Sequence, residues 1–302
     1  MSKRFRILGV SLSLLLSLTA CSGSEKNKAL RVGFVPSENM QEVLKNAQPI
    51  VDKLHDALGV EVRPFVATDY AGVVEALRGN KLDIAFLNPA AYVLAKEEAH
   101  VKVLLKSVRR GGDAFYGAII TRTDSGINSL QDLKNHTFAF GDPISTSGHI
   151  FPKKMFKAAG IDPARDFKNV IFAGGHDATV LAVYNHKADA GATYANSTKG
   201  DDGAWTLYLK TAAEQAQIKV IAYTEPIPND NLVASSQLDK VTTDKITKVF
   251  MDLSQSPEGR KWLNAIYRIE GFVPATDADY ASVRDAFQDA GIPIQKAVTQ
   301  KP

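Results

Sequence analysis

A single cysteine, Cys21, stands in a chain of 302 residues. An intramolecular disulfide needs two, so no such bridge holds this fold. Histidine is sparse too: the six residues are scattered singly, with no H-E-x-x-H, no C-x-x-C and no EF-hand loop beside them. That spacing excludes the common metal sites. The sequence has no G-x-x-x-x-G-K-S/T, and so no P-loop, and no G-x-S-x-G, the nucleophile elbow of one large hydrolase class. Surplus charge is missing as well. Residues 1–20 carry three of the 36 Lys and Arg and none of the 33 Asp and Glu, which leaves the remainder balanced. A balanced chain has neither the footprint of a nucleic-acid binder nor a polybasic membrane patch. No internal repeat or low-complexity segment is visible.

What is present begins with a leader. Lys3, Arg4 and Arg6 precede the apolar run "ILGVSLSLLLSL", and "LTAC" follows. Charge, short apolar run, then small residues is the order of a secretory signal. The run is shorter than the roughly 20 residues that a membrane span needs. "LTAC" resembles the lipobox of bacterial lipoproteins, in which the cysteine is lipidated and becomes the mature N-terminus; the plainer alternative is a chance cysteine after an ordinary signal. The expectation is a lipoprotein signal peptide over 1–20, lipidation at Cys21, a polar tether over 21–28 and a location on the periplasmic or extracellular face of a membrane.

From Leu30 onward short apolar runs alternate with longer amphipathic ones. "LRVGFVPS", "VEVRPFVA" and "LDIAFLN" read as strands; "MQEVLKNAQPIVDKLHDALG", broken or kinked near Pro49 and stopped at Gly59, reads as a helix. The same alternation resumes after "FYGAIITR", and the C-terminal region reads as three helical pieces. Such alternation predicts an α/β fold with mainly parallel sheets. Two α/β blocks predict two lobes: 29–118 with 229–302, and 123–222 inserted between them, the chain crossing at 119–122 and 223–228. Ligands of open α/β sheets bind in crevices at the carboxyl ends of strands.

One such end carries "DPISTSGHIFP". Three consecutive hydroxyls, Ser145, Thr146 and Ser147, sit between a proline turn and a helix start. One serine suffices for an N-cap. Three, with Gly148 permitting close backbone approach, suit an anion held by hydroxyls and by the unpaired N–H groups of a helix N-terminus. His176 begins another helix in the same block, and an imidazole can donate to an oxyanion. A cap or a core histidine is the bland alternative at each position.

These segments, with "ATDYAGVVEALRGNKLDIAFLNP", "GGHDATVLAVYNHKADAG", "TRTDSGINSLQDLK" and "EPIPND", resemble the phosphonate/phosphite/phosphate-binding proteins of ABC importers, in family order from about residue 30 to 235. The resemblance implies a type II periplasmic-binding fold: two lobes, a double hinge and a ligand enclosed between them. It places the family's ligand contacts at Tyr70, Ser145, Thr146, Ser147, His176 and Asp230, with Tyr116, Tyr194 and Asn196 as weaker candidates. Hydroxyls, amides and His176 would hold P–O oxygens, Tyr70 would donate from the opposite lobe, and Asp230, an acceptor only while ionised, would select a P–OH proton and reject sulfate. Family members that bind aminoalkyl phosphonates carry an acid near the position of Asn196, and Tyr is common where Phe115 stands. Both departures lean toward phosphite, methylphosphonate or phosphate. The implied partners are an ABC permease and ATPase and, through the lipid, a membrane; no cofactor, metal, nucleic acid or catalytic residue is implied. A receptor presenting ligand to a sensor kinase, or a binder of another small solute, are the rival readings, and an enzyme built on Ser147 and His176 is disfavoured by the missing elbow.

Overall fold

A computed structural model describes residues 29–294, so the leader, Cys21 and the tether lie outside the described residues. Among the described residues eleven strands form two sheets. The first contains β1 (Leu30–Phe34), β2 (Val62–Val66), β3 (Ile84–Leu87), β4 (Lys102–Val108), β10 (Asn231–Ala234) and β11 (Gly271–Pro274), in the order β11-β4-β10-β3-β1-β2. The second contains β5 (Ala114–Arg122), β6 (Thr137–Phe140), β7 (Asn169–Phe172), β8 (Ala190–Ala195) and β9 (Ile218–Pro228), in the order β7-β6-β8-β5-β9. Helices cover both faces of the first sheet. One face packs against Met40–Leu58, Lys240–Gln255 and Pro257–Tyr267, the other against Tyr70–Arg78, Pro89–Ala99 and Ala281–Asp289. Burial on both faces explains why β3 reads as an unbroken apolar run, "IAFL". Phe34 and Phe86, neighbours in the β1–β3 register, stack at 5.0 Å.

The helix Met40–Leu58 ends at the expected glycine and runs without a break through Pro49. Asn39 accepts from the amides of Gln41 and Glu42, Pro49 is retained inside, and Gly59 ends the helix at φ +68°, a left-handed conformation that glycine adopts without steric cost.

Two expectations need correction, and two strands were not expected at all. The sheets are mixed rather than mainly parallel: β10 lies antiparallel between β3 and β4, and β5 is antiparallel to both β8 and β9. Strands that carry the chain from one sheet to the other enter against the direction of the βα units, so they pair antiparallel. The segments 119–122 and 223–228 are not the crossings. They lie inside β5 and β9, which pair from Ala114↔Pro228 to Arg122↔Ile218. The chain passes between sheets at 109–113 and 229–230. Strand alternation tells which face a residue occupies, not which sheet the strand joins. Finally, β10 and β11 were not foreseen, because four residues are too few to show a period.

The crossings are fastened to each other. Arg109 and Gly112 exchange backbone hydrogen bonds of 3.0 and 2.9 Å around Arg110 (φ +50°) and Gly111 (φ +69°), the left-handed pair of a tight hairpin turn. Asn229, fully buried, donates from its side chain to the carbonyls of Ser107 and Gly112, both at 3.0 Å, and its amide donates to Asp113 at 2.9 Å.

Candidate functional site

The carboxyl ends of β1, β3, β6 and β7 converge on one cleft between the two sheet-centred halves. The centre of a water molecule can occupy about 50 Å³ of it, space for a few waters or one small anion. Its lining includes Tyr70, Ser145, Thr146, Ser147, His176, Tyr194, Asn196 and Asp230. Tyr116 is not among the lining residues; its neighbour Phe115 is. Successive side chains of a strand point to opposite faces, so β5 sends one ring inward and the next away.

The three hydroxyls do different work. "STSG" folds into a π-helical turn, Thr146–Ile150, with Ser145 at its N-cap. The Ser145 hydroxyl accepts from the Gly148 amide at 3.1 Å. Thr146 faces the other half: its hydroxyl oxygen accepts from the Ala90 amide at 2.9 Å and from Asn88 Nδ2 at 2.8 Å, and Asn88 Nδ2 also donates to the Ile144 carbonyl at 2.9 Å. Ser147, though buried, has no side-chain partner among the described residues. The amides of Thr146 and Ser147 begin the turn and have no acceptor within it. Gly148 is required by close packing: a Cβ there would lie 2.8 Å from Ser145 Oγ and 3.2 Å from Gly141 Cα.

His176 follows β7 and faces this turn. Its ring meets Thr193 Oγ1 through Nδ1 at 3.0 Å and packs edge-on against Tyr194 at 4.9 Å. Nε2 has no partner among the described residues. Burial, with Arg109 and Arg268 nearby, pushes the imidazole down to about 3, so it is neutral at physiological pH. Across the cleft, Tyr70 begins a helix capped by Asp69, and burial, with Asp142 and Asp230 close by, raises its phenol. The Tyr70 amide donates to Asp142 Oδ2 at 3.2 Å, and the His176 amide donates to the Ser37 carbonyl at 3.1 Å. Both bonds join the halves.

Sequence reasoning missed the cleft's arginines. Arg109, on the crossing hairpin, forms an ion pair with Asp230 on the other crossing. Arg268, a left-handed C-cap at φ +56°, forms one with Glu38. Burial raises the Glu38 carboxyl, and Arg268 opposes the rise. The turn signal "RRGG" marked Arg109's position in the sequence but not its direction; nothing local marked Arg268. Asn196 lines the cleft, yet its Nδ2 donates to Asp202 Oδ1 at 3.0 Å, and Asp202 pairs with Arg110 at 2.8 Å. Among the described residues no group of three or more His, Cys, Asp or Glu is placed to hold a metal ion, and no helix is long and apolar enough to cross a membrane.

Residues 32–280 match the family described as "ABC transporter, phosphonate, periplasmic substrate-binding protein". The phosphonates-binding periplasmic protein of Escherichia coli is 35% identical over 263 residues, covering 85% of this chain and 75% of the relative. The phosphate-import protein PhnD of Mycolicibacterium smegmatis is 29% identical, covering 89% of this chain and 91% of the relative. In structure, the binding-protein component of an ABC phosphonate transporter from Pseudomonas aeruginosa superposes with a TM-score of 0.79 at 26% identity, covering 88% of this chain and 87% of the other.

Proposed function

Because the chain belongs to the family of periplasmic substrate-binding proteins of ABC phosphonate transporters, and so has the type II periplasmic-binding fold, we propose that it captures a small phosphorus oxyanion and delivers it to the permease and ATPase of an ABC importer. The observation that carries this reading is the Thr146–Ile150 turn, which brings an unpaired hydroxyl and unpaired amides into a buried cleft. Donors buried without acceptors are costly, by roughly 1–3 kcal/mol each, unless a ligand supplies the acceptor. An anion at a helix N-terminus does so and meets the positive end of its dipole.

The roles follow from the chemistry. Ser147 and the turn amides hold P–O oxygens. With Thr193 donating to Nδ1, the neutral His176 presents Nε2–H to another oxygen. Asp230, held by Arg109, accepts the proton of a P–OH group. Sulfate has no such proton at neutral pH, so its oxygen would meet the Asp230 carboxylate acceptor against acceptor. Binding rather than catalysis is favoured by the partner of His176 Nδ1: a threonine hydroxyl, where a nucleophilic triad places an acid. The two halves move about the crossings 109–113 and 229–230 to admit the ligand, and Cys21 anchors the protein through a lipid.

Calorimetric titration of residues 22–302 with phosphite, methylphosphonate, phosphate and sulfate tests the reading. At least one phosphorus oxyanion binds and sulfate does not; Ser147→Ala weakens that binding by about 1–3 kcal/mol. Silence with every phosphorus anion, or unchanged affinity in Ser147→Ala, contradicts it.

A further inference from the structure

Two carboxylates line the cleft, and an arginine already neutralises each. Asp230 pairs with Arg109, and Glu38 pairs with Arg268. At the cleft mouth Asp202, which holds Asn196, pairs with Arg110. His176, held neutral by burial, adds no charge. The described cleft therefore has no unpaired negative side chain, while the Nε of Arg109 is buried without a hydrogen-bond partner. Arg109 has little freedom to leave. It belongs to a tight hairpin turn, and its side chain is 13% exposed.

This asymmetry has a consequence for the organic substituent of a ligand. A cationic substituent needs an unpaired carboxylate, and it gains nothing from one already matched by a guanidinium. It would also lie close to a second positive charge in a water-poor space, where like charges repel strongly. A neutral substituent meets no such penalty. Built-in repulsion of this kind sets specificity as effectively as new attraction.

We propose that Arg109 is a specificity-determining residue that restricts the cleft to phosphorus oxyanions whose substituent carries no positive charge. The inference rests on the oxyanion reading above and adds to it the residue, and the charge, that would turn a cationic substituent away. Its partner Asp230 remains the acceptor for P–OH; Arg109 keeps that carboxylate from serving a cation as well.

The test uses two ligands of nearly equal shape, propylphosphonate and 2-aminoethylphosphonate, which differ by a methyl in place of an ammonium. Both are titrated into the wild type, Arg109→Gln and Arg109→Lys at low salt, with phosphite as a reference ligand. The wild type is expected to prefer propylphosphonate by at least about tenfold, since one such factor corresponds to only about 1.4 kcal/mol. Arg109→Gln leaves Asp230 without its counter-ion and lowers this ratio at least tenfold; Arg109→Lys, which keeps the charge, preserves the preference. Equal or tighter wild-type binding of the amine overturns the proposal. So does an unchanged ratio in Arg109→Gln, or a ratio lost equally in Arg109→Lys. The wild-type ratio stands as a test even if a variant fails to fold. Failure of the wild type to bind phosphite and both phosphonates overturns the oxyanion reading itself and this inference with it, an outcome distinct from binding without charge discrimination.

Discussion

Ser145, Thr146 and Ser147 are adjacent in sequence and unlike in role: one hydroxyl closes its own turn, one bonds the opposite half, and one faces the cleft unbonded. That three hydroxyls exceed the needs of a cap was legible in the sequence. Which of them is available was not, because it depends on Asn88 and Ala90, more than fifty residues away. Arg109 was hidden for the same reason: its partner Asp230 is 121 residues distant. His149, two residues beyond Ser147, carries a residue-scale prediction. Its ring is wedged between Phe140 and Phe172, its Nδ1 donates to the Pro143 carbonyl at 2.7 Å, and burial pushes it down to about 4. The unfolded chain, with a histidine near 6.5, binds the proton first. Stability is therefore lost as pH falls from about 6.5 to 4, by at most about 3 kcal/mol from this residue. Asp142 works the other way, since burial lifts it to about 6 and its native form takes up a proton over an overlapping range. Thermal melts of the wild type and His149→Gln between pH 7 and 4.5 separate the two. The variant should lose less stability on acidification, and parallel curves would remove His149 from the account.

At the scale of elements, most of what the sequence predicted was local. The proline within the helix Met40–Leu58 and the glycine that ends it are written in the helix's own residues. The helix start expected after the three hydroxyls takes the form of a π-helical turn at Thr146 and becomes regular at Phe151, with Pro152 in its first turn. The crossings resisted prediction because β5 and β9 are long strands whose alternation continues past the expected break. The link between the turn and the helix Pro89–Ala99 makes its own prediction. Thr146→Val removes the acceptor for the buried Ala90 amide, a bond that the proposed hinge motion would break and expose to water. The cost, about 1–3 kcal/mol, falls on the closed form. Affinity should drop by a similar factor for every oxyanion, measured by calorimetry, with the order of preference unchanged. A change of order would mean that Thr146 touches the ligand rather than the opposite half.

The whole molecule joins these parts through a cleft whose charges cancel. Two α/β halves supply strand ends, the turn supplies donors without acceptors, and the paired crossings bring Arg109 and Asp230 to the same wall. The alternation of strands and helices was enough to foresee two sheets. The neutral cleft was not foreseeable, since it follows from pairings across the molecule rather than from composition. The central claim is that an oxyanion of phosphorus completes the Thr146–Ile150 turn. A crystal structure of the protein with phosphite tests it most directly. The account predicts the anion's oxygens within hydrogen-bond distance of Ser147 Oγ, the Thr146 and Ser147 amides and His176 Nε2, with the protonated oxygen toward Asp230. An anion bound elsewhere, or a cleft holding only water at saturating phosphite, would contradict it.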